Sequence, residues 1–445
     1  MTTKSNSPFV TEPERRIAWA GGSDVLVAGA GPAGISAALA AARAGADVRL
    51  IETHGCLGGI WTAGLLAWMF EMNQPGIPRE ITERLDQAGA KIGNAPDRYT
   101  YDIEAMKLLL EEMCAEAGVR FQLHTRAAGV LKKNGRLTHV ITESKSGREA
   151  WHAENVVDAT GDGDLAALAG CGFSLGRNST NECQPMTFMA LISVRNAEAL
   201  SSCISFWNNG DMKSHLKASG NFLEEIRRAG TEPSYTRPTL FQVRGNLLAL
   251  MVNHEYNVSA IDTSEITAAT VNGRSEVNRV LKGLRGLGGR WEGTQLVATC
   301  EQIGVREGRR IHGRYTVSRE DLAEGRRHED AVCRVSFGVD IHCTNPSEGK
   351  GQEKSPIRMR PYDIPLRALL SRDIPNLLLA GRCISGDFFA HSSYRVTGSA
   401  AATGQAAGIA AAISAESKTA PSDLEWSEVE KKLSATTGSE WQKIT

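Results

Sequence analysis

Apolar and polar positions change period several times along the 445 residues. Residues 25–28 (VLVA) and 48–51 (VRLI) are short apolar runs of the kind that form strands buried on both faces. Between them, the glycine-rich GAGPAG (29–34) opens an alanine-rich run to Ala44, with Gly45 as a stop signal, which predicts a helix. Asp102 is the candidate cap of a helix over 103–117, stopped by Gly118. Residues 119–123 read as a strand. Segments 127–131, 137–142 and 149–153 alternate, with turns at Asn134-Gly135 and Ser146-Gly147, and predict a three-strand meander. NVVDATG (155–161) predicts a return to a buried parallel strand. The middle of the chain reads differently. It predicts a strand over 184–194, a helix over 214–228 and a hairpin over 240–253 turning at Gly245-Asn246. A helix over 264–283 and a strand over 296–302 follow. NLLLAGR (376–382) is a last buried strand. After it, 399–413 (SAAATGQAAGIAAAI) is a helix of mostly tiny residues, apolar nearly all round, which must be buried in close backbone contact. Residues 65–101 show no clear period, and GLRGLGG (283–289) reads as a loop.

The stretch 24–52 then acquires a chemical meaning. Strand, glycine turn, helix, strand and acid follow in the order of a dinucleotide-binding fingerprint. Gly29 permits the tight turn, Gly31 lets the backbone approach a pyrophosphate, and Gly34 lets the helix pack on the strand. The helix N-terminus attracts phosphate through its free N–H groups and dipole. Glu52 can accept from both ribose hydroxyls. Gly58 and Gly59 again allow backbone near a ligand. The expected class is α/β, a Rossmann-like nucleotide domain with a three-stranded β-meander insertion, plus a mixed α+β substrate domain. Expected boundaries are an N-terminal arm (1–22), the nucleotide domain (23–170 and 364–413), the substrate domain (171–363) and a peripheral tail (414–445).

Composition narrows the partners. A net charge of −1 with 41% hydrophobic and 23% charged residues describes an ordinary globular chain with no electrostatic reason to bind nucleic acid. The nine cysteines form no CxxC pair, so zinc and iron–sulfur sites lose their usual spacing and no metal is expected. The N-terminus has no apolar signal region, and 400–413 is too short to span a bilayer. A cytoplasmic location without membrane attachment is expected.

Three distant blocks now line up: the fingerprint with its GG element, VVDATGDGDLAALAG, and NLLLAGRCISGDFFAHSSYRVTGSAAATGQAAG. Together they resemble the FAD-dependent oxidoreductase family of glutathione-reductase-like fold. Within it they look like the group that includes the FAD subunit of heterodisulfide reductase and uncharacterised bacterial flavoproteins. The segments GRRIHGRYTVSRED, DIH (340–342) and YDIPLRALL are similar too, and the resemblance covers about 22–413. It implies FAD as cofactor, with Gly29, Gly31 and Gly34 at the pyrophosphate and Glu52 at the ribose. Gly58 and Gly59 would lie along the ribitol or pyrophosphate. Ala128 would meet adenine through its backbone, and Gly161 would close a turn near the cofactor. Gly381 and Arg382 would end the last strand near the ribitol. Val396 to Ser399 would open a helix pointing at flavin N1 and O2, where its positive end stabilises reduced flavin. Many flavin monooxygenases have GD at the end of that last strand. Here the strand ends Gly381-Arg382, and Gly386-Asp387 comes later.

No second dinucleotide fingerprint is present, so electrons are expected from a small organic substrate or from a partner protein. The chain would act as a dehydrogenase or oxidase, taking a hydride from a small polar metabolite to flavin N5. O2 or an electron-acceptor protein would remove the electrons. The alternatives are a monooxygenase borrowing NAD(P)H and an electron-transfer subunit. His391 and Arg395 are the leading catalytic candidates, as base and carboxylate clamp. His342, Arg306, Tyr362 and Arg367 follow. Cys56, beside the GG element, is either a buried packing residue or a point of covalent flavin attachment.

Overall fold

A computed structural model describes residues 12–95, 97–177 and 180–437. Its central sheet has seven strands, and the first of them, Ala18–Ala28, lies inside it. On one side that strand pairs in parallel with Val48–Ile51, which pairs in turn with Arg120–Gln122. On the other it runs parallel to Gly147–Asp158 along its whole length, from Ala18 opposite Glu149 to Ala28 opposite Asp158.

Two expectations are corrected here. The N-terminal arm does not extend to residue 22, because residues 18–22 already belong to the first strand. Residues 1–11 lie outside the described residues. The third meander strand and the returning parallel strand are one continuous strand, Gly147–Asp158. Its first half pairs antiparallel with Arg136–Ser144 and its second half pairs in parallel with Leu377–Leu379. Neither glycine nor proline interrupts 148–158. Asn155, polar in the middle of the run, is buried with its amide donating to Ala411 O and Ser414 Oγ, both at 3.0 Å.

The fingerprint helix, Pro32–Arg43, carries the last long helix, Thr397–Ser417, directly on its back. Only glycine allows that contact. A Cβ on Gly404 would lie 2.0 Å from Ala33 O, and one on Gly408 would lie 2.1 Å from Ala37 O. The small residues therefore form a backbone-to-backbone seam one helical turn apart. The tail is not wholly peripheral. Its first residues finish this helix, and a further helix, Trp426–Thr437, buries Val429 and Leu433.

The middle of the chain forms a four-stranded antiparallel sheet in the order Thr239–Arg244, Leu247–Met251, Met189–Ser193, Gln295–Thr299. The helices Met212–Arg228 and Thr263–Gly286 accompany it, each capped by an aspartate side chain. The second helix runs past Gly283, which was expected to start a loop. Gly283 is where that helix closes on the backbone of Ala229, with a Cβ position 2.8 Å from its carbonyl oxygen. Two of the helices that were not anticipated bear on the site. Ile77–Gln87 lies in the stretch without clear period, although Ile77, Ile81 and Leu85 form a buried i, i+4, i+8 stripe. Phe388–Tyr394 starts from an Asp387 cap whose carboxylate accepts from Ala390 N at 2.7 Å. Among the described residues no helix is long and apolar enough to cross a membrane.

Candidate active site

The fingerprint turn, where a nucleotide is expected, is built from backbone. Gly29 has φ +91°, and a Cβ there would meet Ala159 O at 2.5 Å; a Cβ on Gly34 would meet Gly29 O at 1.7 Å. These two glycines serve packing of the turn against the ATG segment. Gly31 is different: nothing lies within 4 Å of its Cβ position, so open space faces the turn where a pyrophosphate is expected. Gly31 also caps the fingerprint helix without any side-chain hydrogen bond, and Val396 caps the last helix in the same way. The first-turn N–H groups of a helix have no intrahelical partner. Neither helix start spends a side chain on those N–H groups, and at Gly31 open space faces them.

Glu52 is buried and oriented by two backbone donors, Ala30 N at 2.6 Å and His54 N at 2.9 Å. Each oxygen retains acceptor capacity for a ribose hydroxyl. Gly58 N donates to Ala30 O at 2.8 Å, and Gly59 lies against Gly31, 2.9 Å from its Cβ position to the Gly31 Cα. The GG loop is therefore folded onto the fingerprint turn. Ala128 lines a cleft of about 720 Å³ with Arg126, Glu143, Asp164 and Arg309.

Gly161 and Arg382 come together although 221 positions separate them in the numbering. A Cβ on Gly161 would sit 2.6 Å from an Arg382 guanidinium nitrogen, and Arg382 pairs with Asp162 at 2.9 Å. Asp158 shapes this turn. Fully buried, its carboxylate accepts from Thr160 N (3.1 Å), Thr160 Oγ1 (2.7 Å) and Ala166 N (2.7 Å). Burial pushes its pKa up to about 6 against the pull of those hydrogen bonds. Gly381, at φ +80°, donates its N–H to Thr403 Oγ1 at 3.1 Å and approaches Ala33. Asp387 is spent on its helix cap and on Arg319 N, at 2.7 Å each.

Ser399, in the first turn of the last helix, meets a residue that sequence reasoning missed. Its hydroxyl donates to Glu71 at 2.6 Å, and Glu71 also accepts from Ser336 N and Oγ. Glu71 holds φ +56°, unusual outside glycine, and its carbonyl packs against Gly398. No local motif announces it.

One residue before Val396 begins a cluster of charged and polar groups joining the two parts of the chain. Arg395 donates to Asp340 Oδ2 at 3.0 Å and to the Asp340 carbonyl at 2.9 Å. Asp340 Oδ2 lies 3.2 Å from His342 Nε2, and His342 Nδ1 lies 3.1 Å from His254 Nε2. His254 Nδ1 lies 3.2 Å from the Tyr256 hydroxyl, and Tyr235 stacks on His254 with ring centroids 3.9 Å apart. Arg306 donates to Pro185 O and Thr187 Oγ1 at 2.7 Å each. Burial, then the charge of Arg306, pushes His342 down to about 4. Burial and the same guanidinium hold His254 well below its ordinary value. Burial opposes the charge on Asp340, but His342, Arg395 and Arg306 outweigh it and hold its carboxyl well below the usual range. Neutral imidazoles, one carboxylate and two guanidinium groups therefore share the site at pH 7.

Of the expected catalytic residues, Arg395, His342 and Arg306 meet here. His391 sits four residues away on the short helix Phe388–Tyr394, fully buried, with neither ring nitrogen partnered among the described residues. Burial, then Arg310, Arg395 and Arg382, hold it neutral. Two buried nitrogens without a partner are costly to keep in a folded chain. Arg367 is elsewhere, an exposed partner of Asp330 at 2.9 Å. Tyr362 is buried in Tyr362–Pro365, outside the network among the described residues. Asp340 was visible only as part of DIH, and His254, Tyr256 and Gln184, whose amide oxygen accepts from His342 N at 3.0 Å, carried no sequence signal. Cys56 is buried, and burial pushes its thiol up despite a 3.6 Å contact with Thr62 Oγ1. Among the described residues no group of three His, Cys, Asp or Glu is placed to hold a metal ion.

Comparison with known proteins adds a family. The family described as FAD dependent oxidoreductase matches residues 24–433. A digeranylgeranylglycerophospholipid reductase of Methanocella arvoryzae is 29% identical over 182 residues, 36% of this chain and 45% of that protein. Digeranylgeranylglycerophospholipid reductase 2 of Methanopyrus kandleri is 33% identical over 147 residues, 31% of this chain and 37% of that protein. The chain thus matches less than half the length of these two relatives. A geranylgeranyl bacteriochlorophyll reductase-like structure from Thermoplasma acidophilum covers 93% of this chain and 83% of its own, at 14% identity and a TM-score of 0.45.

Proposed function

The chain belongs to the FAD dependent oxidoreductase family, and from that premise we propose that it oxidises a small polar metabolite carrying a carboxylate, as a dehydrogenase or oxidase. FAD, when bound, supplies the redox chemistry by accepting a hydride at N5. The observation that carries the proposal is the cluster at Arg395, directly before the first turn of the last helix. Arg306 and Arg395 offer planar N–H donors to a carboxylate, which a guanidinium recognises better than any other side chain. His342 and His254 are uncharged at neutral pH, so each has one ring nitrogen free of hydrogen that can accept a hydrogen bond. His391 offers two free nitrogens beside the same helix start. Gly31, Glu52, Gly58, Gly59, Gly161, Arg382, Val396 and Ser399 would hold the cofactor from the pyrophosphate to the flavin end. A monooxygenase is less well supported, because the aspartate of Gly386-Asp387 is engaged in capping a helix.

The experiment is an anaerobic screen of the purified yellow protein against small hydroxy acids and amino acids. One or more should bleach the flavin without NAD(P)H. If NAD(P)H bleaches it and no organic acid does, the proposal is wrong.

A further inference from the structure

A cavity of about 180 Å³ lies between two sheets, apart from the Arg395 cluster. One wall belongs to the small sheet of Trp68–Phe70, Lys91–Ile92 and Arg98–Tyr101. The end strand of the four-stranded sheet, Thr239–Arg244, contributes Gln242, and the loop 204–210 closes the space. Register decides which side chains meet there. Trp68 pairs with Thr100 and Phe70 with Arg98, and side chains alternate along a strand, so Trp68, Thr100 and Arg98 share one face. Trp68 stacks on Phe206 with ring centroids 4.0 Å apart and lies nearly parallel to Phe241 at 5.4 Å. Phe206 stacks in turn on His215 at 4.6 Å. The loop that brings Phe206 into this stack is strained, with φ +57° at Phe206, +49° at Asn208 and +63° at Asn209. Trp207, in the same loop, lines the cavity, is partly exposed and stands outside the stack. Trp68 and Ser205 also line the cavity. Both are buried, and neither the indole N–H nor the hydroxyl has a hydrogen-bond partner among the described residues. The Arg98 guanidinium pairs with its chain neighbour Asp97 at 3.0 Å, both side chains being partly exposed.

We propose that this cavity is a second ligand site, which takes a single-ring aromatic carboxylate. Size sets the first limit. An apolar cavity of ~150 Å³ holds one benzene molecule. The space here therefore admits one ring with a small polar substituent and excludes a nucleotide. The lining sets the chemistry. Trp207 offers a flat apolar surface to a ring. Arg98 offers planar N–H donors to a carboxylate, and its exposed pairing with Asp97 is a weak competitor. The Ser205 hydroxyl and the Trp68 N–H are neutral donors whose unpaired burial is costly, so an acceptor brought to this wall is favoured. The site is separate from the Arg395 cluster. None of its lining residues belongs to that cluster. Gln242 pairs with Leu248 toward the hairpin turn, whereas His254 lies beyond Met251, at the opposite end of the same two strands. The ligand is thus not the metabolite oxidised at the flavin, and the site stands whether or not that reaction is as proposed.

The probe is sodium benzoate, titrated by calorimetry into the FAD-loaded protein carrying Arg306→Gln, which disables the carboxylate donors of the Arg395 cluster. Benzoate should still bind, with one molecule per chain. In the same background Arg98→Gln should weaken it about tenfold, the low end for a hydrogen bond to a charged group. Trp207→Leu should weaken it as well, and cyclohexanecarboxylate, an acid of similar size without a flat ring, should bind less tightly than benzoate. FAD absorbance and the unfolding midpoint establish that each variant is folded. A second measurement uses the parent protein with ¹⁵N-labelled tryptophan. Benzoate should move the Trp207 indole N–H signal, identified by its absence from Trp207→Phe. An unmoved Trp207 signal overturns the proposal. So does affinity indifferent to both Arg98→Gln and Trp207→Leu, or cyclohexanecarboxylate binding as tightly as benzoate. Benzoate that binds the parent but not the Arg306→Gln protein belongs to the Arg395 cluster, and that result removes the second site while leaving the oxidative function in place.

Discussion

Gly404→Ala tests the seam on which the cofactor site stands. The added Cβ would lie 2.0 Å from Ala33 O and 2.7 Å from Ala33 C, both backbone atoms of the fingerprint helix. No side chain is available to swing away. The two helices must separate by roughly 1.5 Å to reach an ordinary contact of ~3.5 Å. Overpacking costs ~1–3 kcal/mol, and rigid backbone neighbours place this case at the upper end. Alanine offsets about 1 kcal/mol through its helix propensity, leaving a net loss of about 2 kcal/mol. The displacement also moves Gly31 and Ala33 relative to Gly381, so FAD should bind at least about tenfold more weakly, which corresponds to ~1.4 kcal/mol. Because FAD stabilises only the folded chain, apo and holo forms must be unfolded in parallel. The control is Gly220→Ala, an exposed glycine within the helix Met212–Arg228 with nothing within 4 Å of its Cβ position. That variant should gain about 0.5–1 kcal/mol. The measurement is denaturant unfolding together with FAD titration of the apoprotein. If Gly404→Ala is as stable as Gly220→Ala and retains parental FAD affinity, the helix seam described here is not what holds the cradle.

Three further outcomes are expected. Asp158 rises from its ordinary 3.8 to about 6 in the folded chain, so the unfolded chain binds fewer protons between those values. Its stabilising contribution is therefore full below about pH 4 and lost as pH rises through about 6, some 3 kcal/mol by order of magnitude. Subtracting the unfolding curve of Asp158→Asn from that of the parent should show this slope, and a flat difference across that window would contradict it. Cys56 is held as a buried thiol, so acid precipitation should leave all the yellow colour in the supernatant, with Cys56→Ser behaving identically; a yellow pellet from the parent that Cys56→Ser abolishes would show a covalent link. Arg382→Ala removes the partner of Asp162 and the guanidinium packed on Gly161, so it should weaken FAD binding by about tenfold, the ~1.5 kcal/mol expected of a charged hydrogen bond. Unchanged affinity, measured by fluorescence titration, would separate this pair from the cofactor site.

Local chemistry explains what could be read in advance. The fingerprint is contiguous, and each of its residues answers to a nearby backbone demand, as the Gly29, Gly31 and Gly34 environments show. Asp102 was legible as a cap because capping is decided within three residues, and its carboxylate does accept from Glu104 N and Ala105 N. The helix Ile77–Gln87 was equally local but was obscured by a flanking region of glycine, proline and scattered aromatics. The continuous strand Gly147–Asp158 was misread because pairing partners, not the strand's own residues, decide where a strand changes from an antiparallel to a parallel neighbour.

The amino-acid order by itself determined the βαβ nucleotide unit, the buried small-residue helix and the chemical types of Arg395, His342 and His391. These follow from periodicity, capping and glycine stereochemistry, which act over a few residues. Only the tertiary structure decided that Gly404 and Gly408 pack on Ala33 and Ala37, that Arg382 lies over Gly161, and that Glu71 braces Ser399. It alone joined Arg395 to Asp340, His342, His254 and Tyr256 while sending Arg367 to the surface. Hydrogen-bond direction and pKa depend on which groups stand within a few ångströms in a low-dielectric interior. Residues far apart in the chain have no way of recording that proximity until the sheet and the two helices have closed on one another.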